Sequence, residues 1–402
     1  DFCTAIKCAE KLLQNAYGDW EKQLLDKLYE LYNLQINAMR KLDRNHVLMF
    51  CIDGLQWKNV NQKYMKNMYG LLKKSFCIFD HAYAVSTSTY ESLIPTYSEN
   101  VDLRTKYYEK NLIDGKNCRF IQEAKRQKRK IYFYTDGFPY IEDDSIILKR
   151  CSQTATEKMW DFLLDAVDEE KGLFYIHILY ESHFSYPNPY TRKALITDGM
   201  NIMFDYLDRN GGRMRTDYRK QMVDALMYLD DVVPPLLKQL QCSMVLYADH
   251  GNIMIDPEDK LFDIEETKYT FHEDLVRVPF AVKSPEIAVG VEHFFISIME
   301  LNKTLLGLMN KREVVFEKKE FIKVQRSEIY NPDFRFLYEK AGYKHDLLAF
   351  EAFIFANGYE LAVYADGKIE LYLTETNERL KDPYIEISLL NKVRSEITVC
   401  TL

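Results

Sequence analysis

The chain has 402 residues, with 53 lysines and arginines against 61 aspartates and glutamates, and its formal net charge is −8 at pH 7. A net negative chain is a poor general binder of phosphate backbones, so the composition argues against nucleic acid as a partner. No apolar run approaches the roughly 18 to 20 residues that span a bilayer, so no transmembrane segment is predicted.

The start of the chain and its cysteines bear on the compartment. The sequence begins at Asp1 without a charged start followed by a short apolar stretch, so no secretory signal is visible, and a mature form or a piece of a longer protein both fit. The eight cysteines form no close CxxC pair, and Cys51 and Cys242 lie in apolar runs typical of buried reduced thiols. A cytoplasmic location is favoured over a soluble periplasmic or cell-surface one.

Three segments differ in pattern. Residues 1–45 carry leucines at helical spacing and predict a helical preface. Residues 46–320 alternate apolar runs with helical patterns, which predicts an α/β domain with a mostly parallel sheet sandwiched by helices. Residues 321–402 predict a small antiparallel α+β subdomain, because alternating runs flank Asn357-Gly358 and Asp366-Gly367, which are hairpin turn signals.

The predicted elements of the main domain follow in chain order. Its strands are His46–Ile52, Ser75–Phe79, Ile131–Thr135, Leu173–Leu179 and Ser243–Ala248. Helical patterns cover Ala155–Val167 and Tyr218–Leu229, and Pro234-Pro235 is expected to break the helix that begins near Thr216. The irregular insert between Phe184 and Arg215 predicts a lid or substrate loop, with a solvated excursion as the alternative. The C-terminal strands are expected at Ala352–Phe355, Glu360–Tyr364 and Lys368–Tyr372, with a helix near Ile385–Ile397.

Polar residues follow two of the predicted strands where they end. Asp53 follows the first strand, and Asp249 and His250 follow the last. The carboxyl ends of parallel strands meet at one edge of a sheet, so these side chains should converge. Carboxylates and imidazoles bind divalent cations, and a cation stabilises the alkoxide of a nearby hydroxyl. The hydroxyl-rich segment Ser86–Thr89 offers such a nucleophile.

These residues resemble motifs of the alkaline phosphatase superfamily, most closely its branch of phosphoethanolamine transferases, lipoteichoic acid synthases and sulfatases. The likeness covers residues 45–279. Ile52-Asp53-Gly54 resembles the acidic ligand at the end of the first strand. Thr89-Tyr90-Glu91-Ser92-Leu93 is similar to the nucleophile turn, and Tyr247-Ala248-Asp249-His250-Gly251 to a Ser-Asp-His-Gly strand end.

Two histidine motifs extend the resemblance. His177 through Glu181-Ser182-His183 is similar to a strand and Ser-His pair that bind the phospho group, and His272 stands before Arg277-Val278-Pro279 as the last motif requires. The resemblance implies that Asp53, Thr89, Asp249 and His250 hold a divalent metal. Zinc is expected first, and manganese or magnesium are alternatives. It also implies that His183 and His272 act on the phosphate or on a second metal.

Alternatives stay open around this set. Ser86, Thr87 or Ser88 could replace Thr89 as the nucleophile, although the position of Ser92-Leu93 favours Thr89. His177 is predicted to be a core histidine, and Asp136 a turn or cap residue. The formylglycine motif of true sulfatases is absent from residues 86–92, and Glu181 and Tyr180 precede His183 where two-metal phosphodiesterases place an aspartate four residues earlier.

The resemblance implies a metal-dependent phosphotransferase. It would move a phosphoethanolamine or phosphoglycerol type group from a phosphodiester donor to a glycan or small-molecule hydroxyl, through a covalent phospho-threonine at Thr89. The alternatives are a phosphatase, phosphodiesterase or sulfatase-like hydrolase of small soluble esters, and a non-catalytic module that binds a capsule or cell-wall polymer. The membrane helices common in the transferases are not seen, so a lipid donor is not implied.

Overall fold

A computed structural model describes residues 2–13, 15–100, 112–136, 140–149, 154–183, 186–191, 212–252, 272–328 and 348–399. The helices are α1 (Phe2–Leu13), α2 (Asp19–Met39), α3 (Lys66–Ser75), α4 (Thr89–Ser98), α5 (Arg119–Arg126), α6 (Ala155–Val167), α7 (Gly212–Val232), α8 (Pro234–Leu237), α9 (Glu273–Val276), α10 (Leu301–Asn310) and α11 (Pro383–Val393). Short 3-10 helices cover Trp57–Asn59, Gly115–Asn117, Ile298–Glu300 and Arg394–Glu396. The strands are β1 (Val47–Ile52), β2 (Cys77–Phe79), β3 (Ala82–Tyr83), β4 (Ile113–Asp114), β5 (Lys130–Tyr134), β6 (Ile141–Glu142), β7 (Ile146–Lys149), β8 (Gly172–Ile178), β9 (Ser243–Tyr247), β10 (Phe280–Lys283), β11 (Gly290–Glu292), β12 (Ile296–Ser297), β13 (Phe321–Arg326), β14 (Phe350–Phe355), β15 (Tyr359–Tyr364), β16 (Ile369–Leu373) and β17 (Arg379–Leu380).

The main sheet has eight strands in the order β11-β2-β10-β9-β1-β8-β5-β7. Strand β1 lies inside it, is buried along its whole length, and pairs in parallel with β8 and β9. Its unbroken apolar sequence suits a strand covered on both faces. The mostly parallel sheet is therefore confirmed, and β10, antiparallel to β9 and β2, is the exception.

The predicted strand boundaries of the main domain agree with the structure to within about one residue, except at the second run. Helix α3 extends to Ser75, and the backbone N–H of Phe76 still donates to Leu72 O, so the strand begins only at Cys77. Helix α6 has the predicted bounds and starts at a capping box in which Thr154 and Glu157 exchange hydrogen bonds. The break at Pro234 is also confirmed, since α7 ends at Val232 and α8 starts at Pro234.

The helices of residues 2–39 contact the main domain through α6 and α8. A buried carboxylate joins them: Glu10 on α1 accepts hydrogen bonds from Tyr228 Oη at 2.7 Å, Tyr32 Oη at 3.1 Å and Thr156 Oγ1 at 3.1 Å. Each donor lies on a different helix, so one side chain ties α1 to α2, α6 and α7. A buried carboxylate with this many donors holds the helices in one register.

The C-terminal subdomain is an antiparallel sheet in the order β13-β14-β15-β16-β17. The predicted hairpins are present, and Gly358 and Gly367 have φ of 88° and 82°, as such turns require. Helix α11 packs on one face of the sheet, where Leu389 and Val393 join its apolar side chains. The other face packs on Tyr83 and Val276 of the main domain.

Two further expectations concern membranes and thiols. None of the helices in the described ranges combines the length and the apolar character that crossing a bilayer requires. Cys51 and Cys242 are buried free thiols, as predicted.

Candidate metal and nucleophile site

The fold brings four of the predicted site residues together. Asp53 follows β1, Asp249 and His250 follow the neighbouring parallel strand β9, and Thr89 is the first residue of α4. The hydroxyl Oγ1 of Thr89 lies 3.1 Å from Asp53 Oδ2 and 3.2 Å from His250 Nε2. The His250 ring nitrogen Nε2 is 3.4 Å from Asp249 Oδ2. The convergence that parallel strand ends predict is therefore present.

Short-range contacts fix the second strand end. The backbone N–H of Gly54 donates to Asp249 Oδ1 at 3.1 Å, and Ser92 Oγ on α4 donates to Asp249 O at 2.5 Å. Gly251 is required at its position, because a Cβ there would lie 1.9 Å from Asp274 O. The site is thus built from main-chain and side-chain bonds between β1, α4 and the turn after β9.

The donor set fits a divalent cation. Ligand atoms of Asp53, Asp249 and His250 lie within 4.8 Å of one another. Both carboxylates are fully buried, and no donor from the described residues hydrogen-bonds to Asp53 Oδ1 or Asp249 Oδ2. Buried carboxylate oxygens without a partner are costly, and a cation would satisfy them.

The tautomer of His250 suits a metal ligand. Its Nδ1 lies 2.6 Å from Gly251 O, and because a carbonyl can only accept, Nδ1 carries the proton in this contact. In the neutral ring Nε2 then holds the lone pair, and Nε2 is the nitrogen that faces Thr89 and Asp249. An outer hydrogen bond from the other ring nitrogen is the usual support of a metal-binding histidine.

The electrostatics of the group are strongly coupled. Burial alone would raise the pKa of Asp53, but the close approach of His177 Nε2 and the charges of His250, His177 and His183 outweigh it and lower the pKa well below its usual range. Burial and the Asp53 charge raise the pKa of Asp249. Burial would lower the pKa of His250, but Asp249 and Asp53 raise it. Two buried carboxylates this close together need positive charge nearby, and a bound cation would supply it.

The neighbouring hydroxyls differ from Thr89 in their contacts. Ser86 Oγ donates to Glu91 Oε2 at 3.0 Å, so it is engaged away from Asp53. Glu91 is buried in the first turn of α4 and also accepts the hydroxyl of Ser327, just beyond β13. This geometry favours Thr89 over Ser86 as the candidate nucleophile. The bond from Ser327 to Glu91 also connects the first turn of α4 to the C-terminal subdomain.

His183 and His272 lie outside the group of possible metal ligands found among the described residues. His183 is exposed, in the turn after β8, and its charge contributes to lowering the pKa of Asp53. His272 is buried at the start of α9: Nδ1 accepts from Asp274 N at 3.0 Å, and Nε2 lies 3.0 Å from the Asn377 amide. The same short helix contacts the metal-facing turn, since Gly251 N donates to Leu275 O at 2.7 Å.

The structure adds residues that the sequence patterns did not place in the site. His177 is buried, as predicted for a core histidine, but its Nε2 lies 3.3 Å from Asp53 Oδ2. Asp136 is not only a turn residue, because the buried ammonium of Lys158 donates to it at 2.5 Å and to His177 O at 2.6 Å. The available signal was the histidine in a buried strand one strand away from Asp53, since buried polar groups need partners.

The predicted lid or substrate loop is largely outside the described residues, which include only 186–191 and 212–215 of it.

Comparison with known proteins gives a likeness in structure but none in sequence. Neither the protein-family models nor the curated proteins contain a match. Phosphonate monoester hydrolase of Agrobacterium radiobacter superposes with a TM-score of 0.61 at 11% identity, over 88% of this chain and 95% of that one. Phosphonate monoester hydrolase of Silicibacter pomeroyi gives 0.60 at 12% identity, over 88% and 94%. A 2-O GAG sulfatase gives 0.58 at 11% identity, over 88% and 91%. This chain therefore shares the fold of these phosphonate monoester hydrolases and of the sulfatase.

The alkaline phosphatase fold was the expectation from the motifs, and it is confirmed. In this chain it includes both the main sheet and the separate five-stranded antiparallel sheet. At such low identity the likeness concerns the fold, and the chemistry of the site has to be argued from its own residues.

Proposed function

We propose that this chain is a metal-dependent phosphotransferase that uses Thr89 as a covalent nucleophile. The observation that carries the proposal is the position of Thr89 Oγ1, 3.1 Å from Asp53 Oδ2 and 3.2 Å from His250 Nε2, beside two buried carboxylate oxygens without donors among the described residues. A hydroxyl held against a base and a charged group is the usual arrangement of an activated nucleophile.

Asp53, Thr89, Asp249 and His250 would hold the cation, for which zinc is the first candidate and manganese or magnesium the alternatives. The bound cation supplies positive charge that lowers the pKa of the Thr89 hydroxyl and stabilises charge on a phosphoryl oxygen. Asp53 and Asp249 would each offer a carboxylate oxygen to the cation. His250 donates its Nδ1 proton to Gly251 O, so its Nε2 stays directed at Thr89.

The first half of the reaction forms a bond from Thr89 Oγ1 to the phosphorus of a phosphodiester and breaks the bond from phosphorus to one ester oxygen. The Thr89 proton leaves to solvent or a nearby base, and the departing alkoxide takes a proton to become an alcohol. In the second half an acceptor hydroxyl loses its proton and forms a bond to the phosphorus, the bond from phosphorus to Thr89 Oγ1 breaks, and the Thr89 oxygen takes up a proton. His183 and His272 are proposed to neutralise the phosphoryl charge and to protonate the leaving group.

The proposed donor carries a phosphoethanolamine or phosphoglycerol type group, and the proposed acceptor is a glycan or small-molecule hydroxyl. Two exposed aromatic side chains close in sequence to site residues favour a saccharide as the acceptor. Tyr90, which follows the nucleophile, and Tyr180, in the turn that leads to His183, are each 39% exposed. Exposed tyrosine rings with a polar end suit the apolar faces and hydroxyls of a sugar.

Intact mass spectrometry tests the proposal. The zinc-loaded protein is incubated with phosphatidylethanolamine or glycerophosphoethanolamine, quenched in acid and measured, and Thr89→Ala is treated in parallel. A mass increment equal to the phosphoethanolamine group, present in the native protein, absent in Thr89→Ala and chased by a glycan acceptor, is the expected result. Turnover of donor by Thr89→Ala at the native rate would overturn the role of Thr89.

A second candidate is hydrolysis of a phosphodiester or phosphonate monoester, with water as the acceptor. The likeness in fold to two phosphonate monoester hydrolases favours it. Sulfate-ester hydrolysis by formylglycine is disfavoured, because residues 86–92 lack the required motif. Release of nitrophenol from nitrophenyl phosphate diesters without any added acceptor would favour the hydrolase over the transferase.

A further inference from the structure

A buried histidine on β8, His177, contacts Asp53 in the candidate metal site. His177 Nε2 lies 3.3 Å from Asp53 Oδ2, with His177 only 2% exposed and Asp53 fully buried. In the strand register His177 pairs with Cys51, two residues before Asp53. The ring therefore reaches across the gap between the ends of β8 and β1.

His177 and Thr89 both approach the same oxygen of Asp53. Oδ2 lies between His177 Nε2 and the hydroxyl of Thr89, which donates to it at 3.1 Å. The other oxygen, Oδ1, has no hydrogen-bond partner among the described residues and lies 4.0 Å from His250 Nε2. A carboxylate held at one oxygen presents the other in a fixed direction.

The histidine is itself held in place. Its ring stacks on Tyr175, with centroids 5.8 Å apart and planes 18° apart. Its carbonyl accepts from Lys158 Nζ at 2.6 Å, and the same ammonium donates to Asp136 Oδ2 at 2.5 Å, just after β5. Lys158 has a side chain that is 1% exposed, so it is bound between two strand ends and does not face a substrate.

We propose that His177 is a positioning residue that holds Oδ2 of Asp53 and thereby presents Oδ1 to the cation. The inference rests on the proposed function in that it assumes a cation at Asp53, Asp249 and His250. Lys158 and Asp136 support it by fixing the main chain of His177. Since outer-shell partners of metal ligands change metal affinity about 10- to 100-fold, the effect is measurable without any substrate.

The test compares variants of His177 by zinc affinity, measured as competition with a chromophoric chelator. His177→Gln carries an amide N–H on a side chain long enough to reach Asp53, whereas His177→Asn is polar but shorter, and His177→Leu has no donor. We expect His177→Gln to bind zinc within about 3-fold of the native protein, and His177→Asn and His177→Leu to bind at least about 10-fold more weakly.

His46, the residue before the neighbouring strand β1, provides a matched control. His46 is also buried, at 1% exposure, but it precedes β1 at the opposite end and accepts a hydrogen bond from Gly172 N. His46→Leu should lower the free energy of unfolding without changing zinc affinity, which separates a general loss of packing from a loss of positioning.

The outcomes separate this inference from the proposed function. Equal zinc affinity in the native protein, His177→Asn and His177→Leu overturns the positioning role, even if phosphotransfer is found. An equal loss of affinity in His46→Leu also overturns it. If the native protein binds zinc, His177→Asn weakens that binding and no donor is turned over, the positioning role stands and the proposed function fails.

Discussion

The hydroxyl of Thr89 lies 3.1 Å from Asp53 Oδ2, across 36 residues of chain. Thr89→Val keeps the size and branching of the side chain but removes the hydroxyl, so it should leave the fold intact and abolish the nucleophile. We expect a loss of turnover of at least about 10³-fold, because Thr89 Oγ1 is the hydroxyl that lies against both Asp53 and His250. The measurement is the initial rate of donor consumption, together with the zinc affinity of the variant.

Thr96 on the same helix provides the control. Its hydroxyl donates to Ser92 O at 2.7 Å and is fully buried. Thr96→Val should cost about 1 kcal/mol in the free energy of unfolding and keep turnover near the native rate. Equal losses of turnover in the two variants would indicate that damage to α4, and not the missing nucleophile, explains the effect.

Asp249→Asn should have opposite effects on stability with and without metal. The amide can keep the bond from Gly54 N, but it removes one of two buried carboxylates whose charges repel. With chelator present we therefore expect Asp249→Asn to melt at or above the native temperature. With zinc at 100 times its dissociation constant the native protein should gain about 2.7 kcal/mol, and the variant far less. Calorimetric or fluorescence melting in EDTA and in zinc measures both arms, and a native-like zinc shift in the variant would contradict the assignment of Asp249.

Much of this site could be predicted from the sequence, for a definite physical reason. Asp53 and Asp249 each follow an unbroken apolar run, and such runs form parallel strands whose ends meet. The structure places these two aspartates and His250 within 4.8 Å of one another. At these positions the residue types and the strand topology therefore predict the same site. The same apolar runs also predicted the fold class.

The contacts that the sequence did not predict depend on packing between distant segments, which no local pattern encodes. His177 was predicted to be a core residue because it alternates into a buried strand, but burial alone does not identify its partner, Asp53. Lys158 lies in an ordinary helical pattern, and only the packing of α6 on the sheet buries it against Asp136. The antiparallel strand β10 was not predicted, because its apolar run of four residues is too short for periodicity to identify a strand.

Gly251→Ala should destabilise the protein and disturb the site. A Cβ at Gly251 would lie 1.9 Å from the backbone oxygen of Asp274, so α9 or the turn after His250 must shift. We expect a cost of about 1–3 kcal/mol or more in the free energy of unfolding, with weaker zinc binding because Gly251 O orients His250.

Gly70→Ala is the matched control. It lies inside α3, where no heavy atom of the described residues comes within 4 Å of the new Cβ, so it should stabilise by about 0.5–1 kcal/mol. Chemical denaturation of both variants checks the contrast, and a neutral Gly251→Ala would show that the turn is free to move.

Glu181 should make stability fall as the pH rises through neutrality. It is fully buried in the turn after β8, and burial raises its pKa to about 8, against a backbone hydrogen bond from Ala155 N that lowers it. The folded protein therefore holds a proton on Glu181 that the unfolded chain releases near pH 4.5, so the contribution of Glu181 to the free energy of unfolding decreases between about pH 4.5 and pH 8 and is level outside that window. Glu181→Gln removes the titrating group and should flatten this decrease, while the exposed Glu142→Gln should retain it. Urea unfolding at pH 5, 7 and 9 measures the slope for each protein. The same decrease in Glu181→Gln as in the native chain would assign the pH dependence to another buried group.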